Sequence, residues 1–151
     1  MLHLMIDILY VTNDLSQVLQ KSDEDLLSAM QFVQVSKDKL QQMRDGGWDE
    51  FCEKVVAFCG NLEIDVPNME SRYVKDNKSK HKAPFVTTLQ YFKYDCFFNI
   101  IDMVLRELND RFTSENIELI NCVACLDPVS SFRAFDTKSL VRMSKFYPND
   151  F

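Results

Sequence analysis

The sequence predicts an all-α protein, an antiparallel bundle of about six helices carrying one long basic loop. Apolar residues recur at i, i+3, i+4 and i+7 through most of the chain, the period of a helix with one face turned inward. Among 151 residues there are only three glycines and four prolines, too few turn formers to join the many short strands of a sandwich or barrel. Hydroxyl and acidic residues stand where such helices must start, and glycine or proline where they must stop. The length, with 46% hydrophobic and 26% charged side chains, suits a single helical domain over residues 1–151 rather than a disordered or fibrous chain.

The first helix is read from Leu4, Ile8, Val11, Leu15, Val18 and Leu19, with Asn13, Ser16, Gln17 and Gln20 on its polar side. A break is expected near Ser22, where a capping hydroxyl and the acids Asp23, Glu24 and Asp25 favour the positive end of a second helix through Leu26, Met30, Val33, Leu40 and Met43. That helix is expected to end at Arg44 and the Gly46-Gly47 pair, glycine closing the last turn in the left-handed conformation. Phe51, Val55, Phe58 and Cys59 form the stripe of a short third helix that begins near Trp48 and reaches Gly60. Periodicity then stops. Residues 61–84 are expected to form a flexible loop, made basic by Arg72, Lys75, Lys78, Lys80, His81 and Lys82. The longest helix, over 85–112, places Leu89, Phe92, Phe97, Ile101, Leu105 and Leu108 on one broad face. Asp95, Asn99, Asp102 and Arg106 lie opposite, with Asp102 and Arg106 spaced to pair across one turn. Thr113 or Ser114 caps a fifth helix through Ile117, Ile120, Val123 and Leu126 that stops before Pro128, and Asp136 starts a last short one through Leu140, Val141 and Met143.

A net charge of -6 opposes blanket binding to nucleic acid or anionic membrane. The run from Leu2 to Val11 carries Asp7 and lacks a basic leader and a cleavage site. Nothing approaches the roughly 18 apolar residues of a membrane span, so no targeting or membrane segment is expected. Five cysteines, an odd number, lie within helical patterns, which suits free thiols in a reducing, intracellular compartment. Cys122 and Cys125 have the spacing of half a zinc site, with Cys52 and Cys59 as candidate partners, but thiols on an apolar helix face pack as small hydrophobes and no metal is expected. No serine or cysteine is placed for activation by His3 or His81, and there is no phosphate-binding glycine loop or calcium loop. No catalytic residue, cofactor or small-molecule partner is expected. The basic loop has two readings, a solvated linker or a segment in which Arg72, Lys75, Lys78, Lys80 and Lys82, interleaved with Tyr73 and Asn77, contact nucleic-acid phosphates. Phe85, Tyr91, Phe98, Phe132 and Phe135 exceed what the helix stripes require and mark either inter-helix packing or a partner surface.

Long runs of the chain resemble a known family. They are Ile101-Asp102-Met103-Val104-Leu105-Arg106-Glu107-Leu108-Asn109-Asp110-Arg111-Phe112 and Lys145-Phe146-Tyr147-Pro148-Asn149-Asp150-Phe151, within a likeness from Tyr91 to Phe151. Leu15-Ser16-Gln17-Val18-Leu19-Gln20-Lys21-Ser22-Asp23-Glu24-Asp25-Leu26 and Met43-Arg44-Asp45-Gly46-Gly47-Trp48 precede them in the same order. Together they resemble the hAT-superfamily transposase-like proteins of plants, with their TTF-type or MYM-type zinc fingers, over almost the whole chain. The resemblance implies the helical insertion of an RNase H-like domain, lying between the strands with two catalytic aspartates and a C-terminal part with the last acid and the dimerisation segment. The zinc finger, those strands and the dimerisation region find no counterpart here, and no catalytic residue carries over, so metal-dependent strand transfer is not expected. What the resemblance implies is a non-catalytic fragment or domesticated remnant of a transposase whose parent acts on DNA in the nucleus. The expected role is binding to a protein partner or self-association, with nucleic-acid binding through the basic loop as the alternative.

Overall fold

In a computed structural model of the chain, residues 1–21, 26–74, 85–126, 132 and 135–148 are described, Leu26 by its backbone alone. Their regular structure is helical: α1 (Leu2–Gln20), α2 (Leu26–Gly46), α3 (Trp48–Asn61), α4 (88–111), α5 (Ser114–Ala124) and α6 (Thr137–Phe146). The protein is an all-α bundle, and among the described residues the β-type pairing is limited to an isolated bridge between Arg72 and Thr87. Residues group into two compact units, Met1–Val11 with Asp38–Arg106 and Thr12–Lys37 with Glu107–Phe151, so that α1, α2 and α4 each contribute to both.

In the first unit, Leu4, Ile8 and Val11 of α1 are buried with Leu40 of α2 and Phe97, Ile101 and Leu105 of α4, as their helical spacing predicts, and with Trp48 of α3, which buries in place of the expected α3 stripe, whose Phe58 is exposed. Trp48 meets Phe97 edge-on at 5.3 Å, and Phe51 lies 5.1 Å from the same ring. Two pairs fix α1 antiparallel to α3. The Lys54 ammonium donates to Asp7 at 2.6 Å, and one turn earlier on α1, one turn later on α3, the His3 ring meets Phe58 at 4.4 Å. In the second unit, Leu15, Val18, Ala29, Met30 and Val33 form a core against which Leu108, Phe112, Ile117 and Ile120 pack. Lys37 donates to the Phe112 carbonyl at 2.8 Å, satisfying a backbone acceptor just past α4, and Arg142 ties α6 to Glu118 of α5 at 3.2 Å.

Several local expectations are corrected. The glycine pair does close α2, but Gly47 is right-handed (φ -82°), and no glycine has positive φ. The need for glycine there is steric, since a Cβ at Gly47 would lie 2.6 Å from the Met43 carbonyl oxygen, whose acceptance of the Gly47 N–H at 2.9 Å holds the chain close. The long helix starts at Thr88 rather than at 85. Thr87 accepts from the Gln90 N–H while Gln90 accepts from the Thr87 N–H, a reciprocal cap, and Val86 is occupied in accepting from the Tyr73 N–H. Within it, Tyr91–Phe98 widens into a π-helix before Asn99–Arg111 resumes the α form. Asp102 pairs with Arg44 of α2 at 2.9 Å, not with Arg106, because its half-buried carboxylate faces that neighbouring helix while Arg106 is exposed. The fifth helix stops at Ala124, two residues short of Leu126. Thr113 caps its start and Asp136 caps α6, both as expected. The break expected near Ser22 lies outside the described residues.

Candidate functional site

Of the basic residues singled out from sequence, Arg72 is exposed, with its guanidinium 6.0 Å from the Phe85 ring centre. Lys75, Lys78, Lys80 and Lys82 lie outside the described residues. The chain on either side of this segment is held together by backbone hydrogen bonds. Thr88 N–H donates to the Ser71 carbonyl at 2.8 Å, Leu89 N–H to that of Met69 at 2.9 Å, and Tyr73 N–H to that of Val86 at 2.9 Å. The Tyr73 ring lies flat on Tyr91 with centroids 3.7 Å apart and planes 8° from parallel. Hydrogen bonding with Tyr73 first, and with Cys96, pushes the Tyr91 phenol above its ordinary value. Tyr73, expected as an aromatic beside the lysines, is thus committed to an internal stack.

Of the surplus aromatics, Tyr91 and Phe98 are half-buried among other rings, whereas Phe85, Phe132 and Phe135 are exposed. Burial foremost, then Asp49, pushes the Cys52 thiol up, and burial foremost, then Glu118, does the same at Cys122. All five cysteines are free. Among the described residues no three His, Cys, Asp or Glu side chains come together as a metal-binding group.

A surface absent from the sequence reading stands out on α1. Its buried stripe is Leu4, Ile8 and Val11, yet Leu2 (70% exposed), Met5 (41%), Ile6 (50%), Leu9 (57%) and Tyr10 (64%) make a second stripe at i, i+3, i+4, i+7 and i+8 that faces out. The cause is composition. Between Leu2 and Val11 the polar side chains are His3, Asp7 and the hydroxyl of Tyr10, and the first two are turned to α3, where Asp7 binds Lys54 and His3 lies on Phe58. Nε2 of His3 is buried there without a hydrogen-bond partner. A helix apolar on nearly every side ordinarily lies inside a protein. Beside the stripe runs an open cleft lined by Asp7, Tyr10, Lys39, Glu50 and Lys54, with the Lys39 ammonium 5.5 Å from the Tyr10 ring centre; two acids and two amines leave it without a dominant charge. A count of polar residues around the whole circumference of α1, rather than a search for one good stripe, is the signal that locates this surface.

No helix of the described residues is long and apolar enough to cross a membrane. No protein-family model, curated protein or solved structure matches this chain.

Proposed function

We propose that this chain is a non-catalytic helical module, a fragment or domesticated remnant of a hAT-type transposase-like protein, that acts by self-association or by binding a protein partner. The observation that carries the interaction role is the outward stripe of Leu2, Met5, Ile6, Leu9 and Tyr10 on α1. Its side chains are free of formal charge, so covering it strips water from apolar surface, at about 25 cal/mol for each Å² removed from water. The transposase origin rests on the resembling runs of sequence, and nuclear residence follows from that origin.

The test is the mass of the purified chain by light scattering over a range of concentrations, for the wild type and for the Ile6→Glu/Leu9→Glu variant. Both positions are at least half exposed, so the charges fall on the surface and leave the buried stripe intact. A dimeric or larger wild type, made monomeric by the two glutamates, is the expected result. A monomeric wild type at every concentration overturns self-association.

A second reading, a nucleic-acid-binding module, is favoured by the clustering of Arg72, Lys75, Lys78, Lys80 and Lys82 in an otherwise acidic chain. A titration against duplex and single-stranded DNA at several salt concentrations separates it from the first. Phosphate binding weakens steeply with salt, because each neutralised phosphate releases counterions, and it is lost on changing the four lysines to alanine.

A further inference from the structure

We propose that the first unit binds a small uncharged apolar molecule, about the size of one aromatic ring, in a cavity enclosed by α1, α3, α4 and the segment after α3. The cavity has a volume of about 150 Å³. Its floor is Leu4, Trp48 and Phe97, all buried, and its rim includes Met1, Val56 and Val66, each about half exposed, so that a solvent path leads to a buried apolar interior. Engineered apolar cavities of about 150 Å³ stay dry and take up benzene or xenon, which sets the scale of the occupant.

The lining selects its chemistry. Among the described residues no charged side chain borders the cavity, and the side-chain heteroatoms around it are the sulfurs of Cys52, Cys59, Met1 and Met69 and the indole nitrogen of Trp48. A charged or strongly hydrated ligand would lose its water and recover little, whereas an apolar one gains contact with walls that otherwise face a void. Phe51 and Phe92 join Trp48 and Phe97 in that wall, giving edges and faces that match an offset or edge-on ring. From the sequence no small-molecule partner is expected. The cavity's residues come from four separate stretches of chain, brought together by packing alone.

The cavity contains its own reporters, because Trp48 is the sole tryptophan and Cys52 and Cys59 both line the wall. The full chain is treated with a maleimide in the presence of toluene or of benzoate, and the modification rate at each cysteine is read by mass spectrometry alongside Trp48 emission. At toluene tenfold above its dissociation constant, modification of Cys52 and Cys59 is expected to slow about tenfold, the unliganded fraction being all that reacts. N-acetylcysteine added to the same reaction serves as reference and keeps its rate. Benzoate, of the same shape but charged, leaves both rates unchanged. Val55→Phe, which adds a ring to the wall, removes the toluene effect. Three outcomes overturn the proposal: no slowing near toluene saturation, equal slowing by benzoate, or equal slowing of N-acetylcysteine. Equal slowing in a folded Val55→Phe variant does so as well, and if that variant fails to fold the toluene and benzoate comparison on the wild type still decides.

Discussion

Gly46 and Gly47 are neighbours with opposite tolerances. A Cβ at Gly46 meets nothing within 4 Å, and the residue has no positive φ, so Gly46→Ala is expected to be neutral or to stabilise by about 0.4–1 kcal/mol through the lower entropy of the unfolded chain. A Cβ at Gly47 meets backbone, the Met43 carbonyl oxygen at 2.6 Å, which no rotamer change relieves. Gly47→Ala is expected to cost roughly 1–3 kcal/mol, as overpacking does, and to disturb the junction of α2 with α3. Denaturant midpoints of the two variants measure the contrast, and similar values for both would refute the steric account. The pair is recognisable in sequence as a helix stop, but which glycine is indispensable, and for what reason, depends on a through-space distance to Met43.

The helices show how far local rules reach. Thr87, Thr113 and Asp136 are all N-caps, and the last two are legible from sequence because capping is a contact among neighbours in the chain. Asp136 also gives α6 a pH dependence. The Lys138 backbone N–H foremost, then the Ser139 hydroxyl, holds its carboxyl below the usual carboxylate range. A folded-state pKa below the unfolded one means that the carboxylate supports the helix above the unfolded value, and that this support is lost as pH falls through the folded one. The protection factors of the Lys138 and Ser139 amides, their exchange rates taken relative to the intrinsic rate at each pH, should therefore fall as acid protonates Asp136. Asp136→Asn, which keeps an oxygen acceptor but does not titrate, should lack that acid transition; an unchanged transition would assign it to another group. The π-helical turn at Tyr91–Phe98 was not legible in this way. It keeps the stripe apolar, so periodicity there is compatible with an α-helix, and the widened turn is seen only where Tyr91 stacks on Tyr73 and Phe97 lies against Trp48 and Phe51.

For the molecule as a whole, net charge and surface pattern oppose each other. A charge of -6 makes two copies repel, while the α1 stripe offers uncharged apolar area. Self-association is therefore expected to strengthen with salt, which screens the repulsion and leaves the apolar contact, the reverse of the salt response of phosphate binding. It also links stability to concentration. Raising the protein well above its dissociation constant stabilises the folded chain by mass action if the monomer is the species that unfolds, so the melting temperature should climb with concentration in the wild type and stay level in Ile6→Glu/Leu9→Glu. A melting temperature independent of concentration in both would leave the stripe without a second copy.

The sequence by itself determined the helical class, the approximate positions of the helices, two of their caps and most of the buried stripe, because each follows from residues within one or two turns of each other. It also marked Arg72 and the lysines after it as a basic cluster, a property of composition. Only the tertiary structure decided that Asp102 is held by Arg44, that Asp7 and His3 are turned towards α3, and that the remaining face of α1 is consequently apolar and exposed. The cavity beside Trp48 belongs with these. A void is the space left between side chains far apart in the chain, and its volume depends on how closely the helices around it approach, which no local pattern encodes.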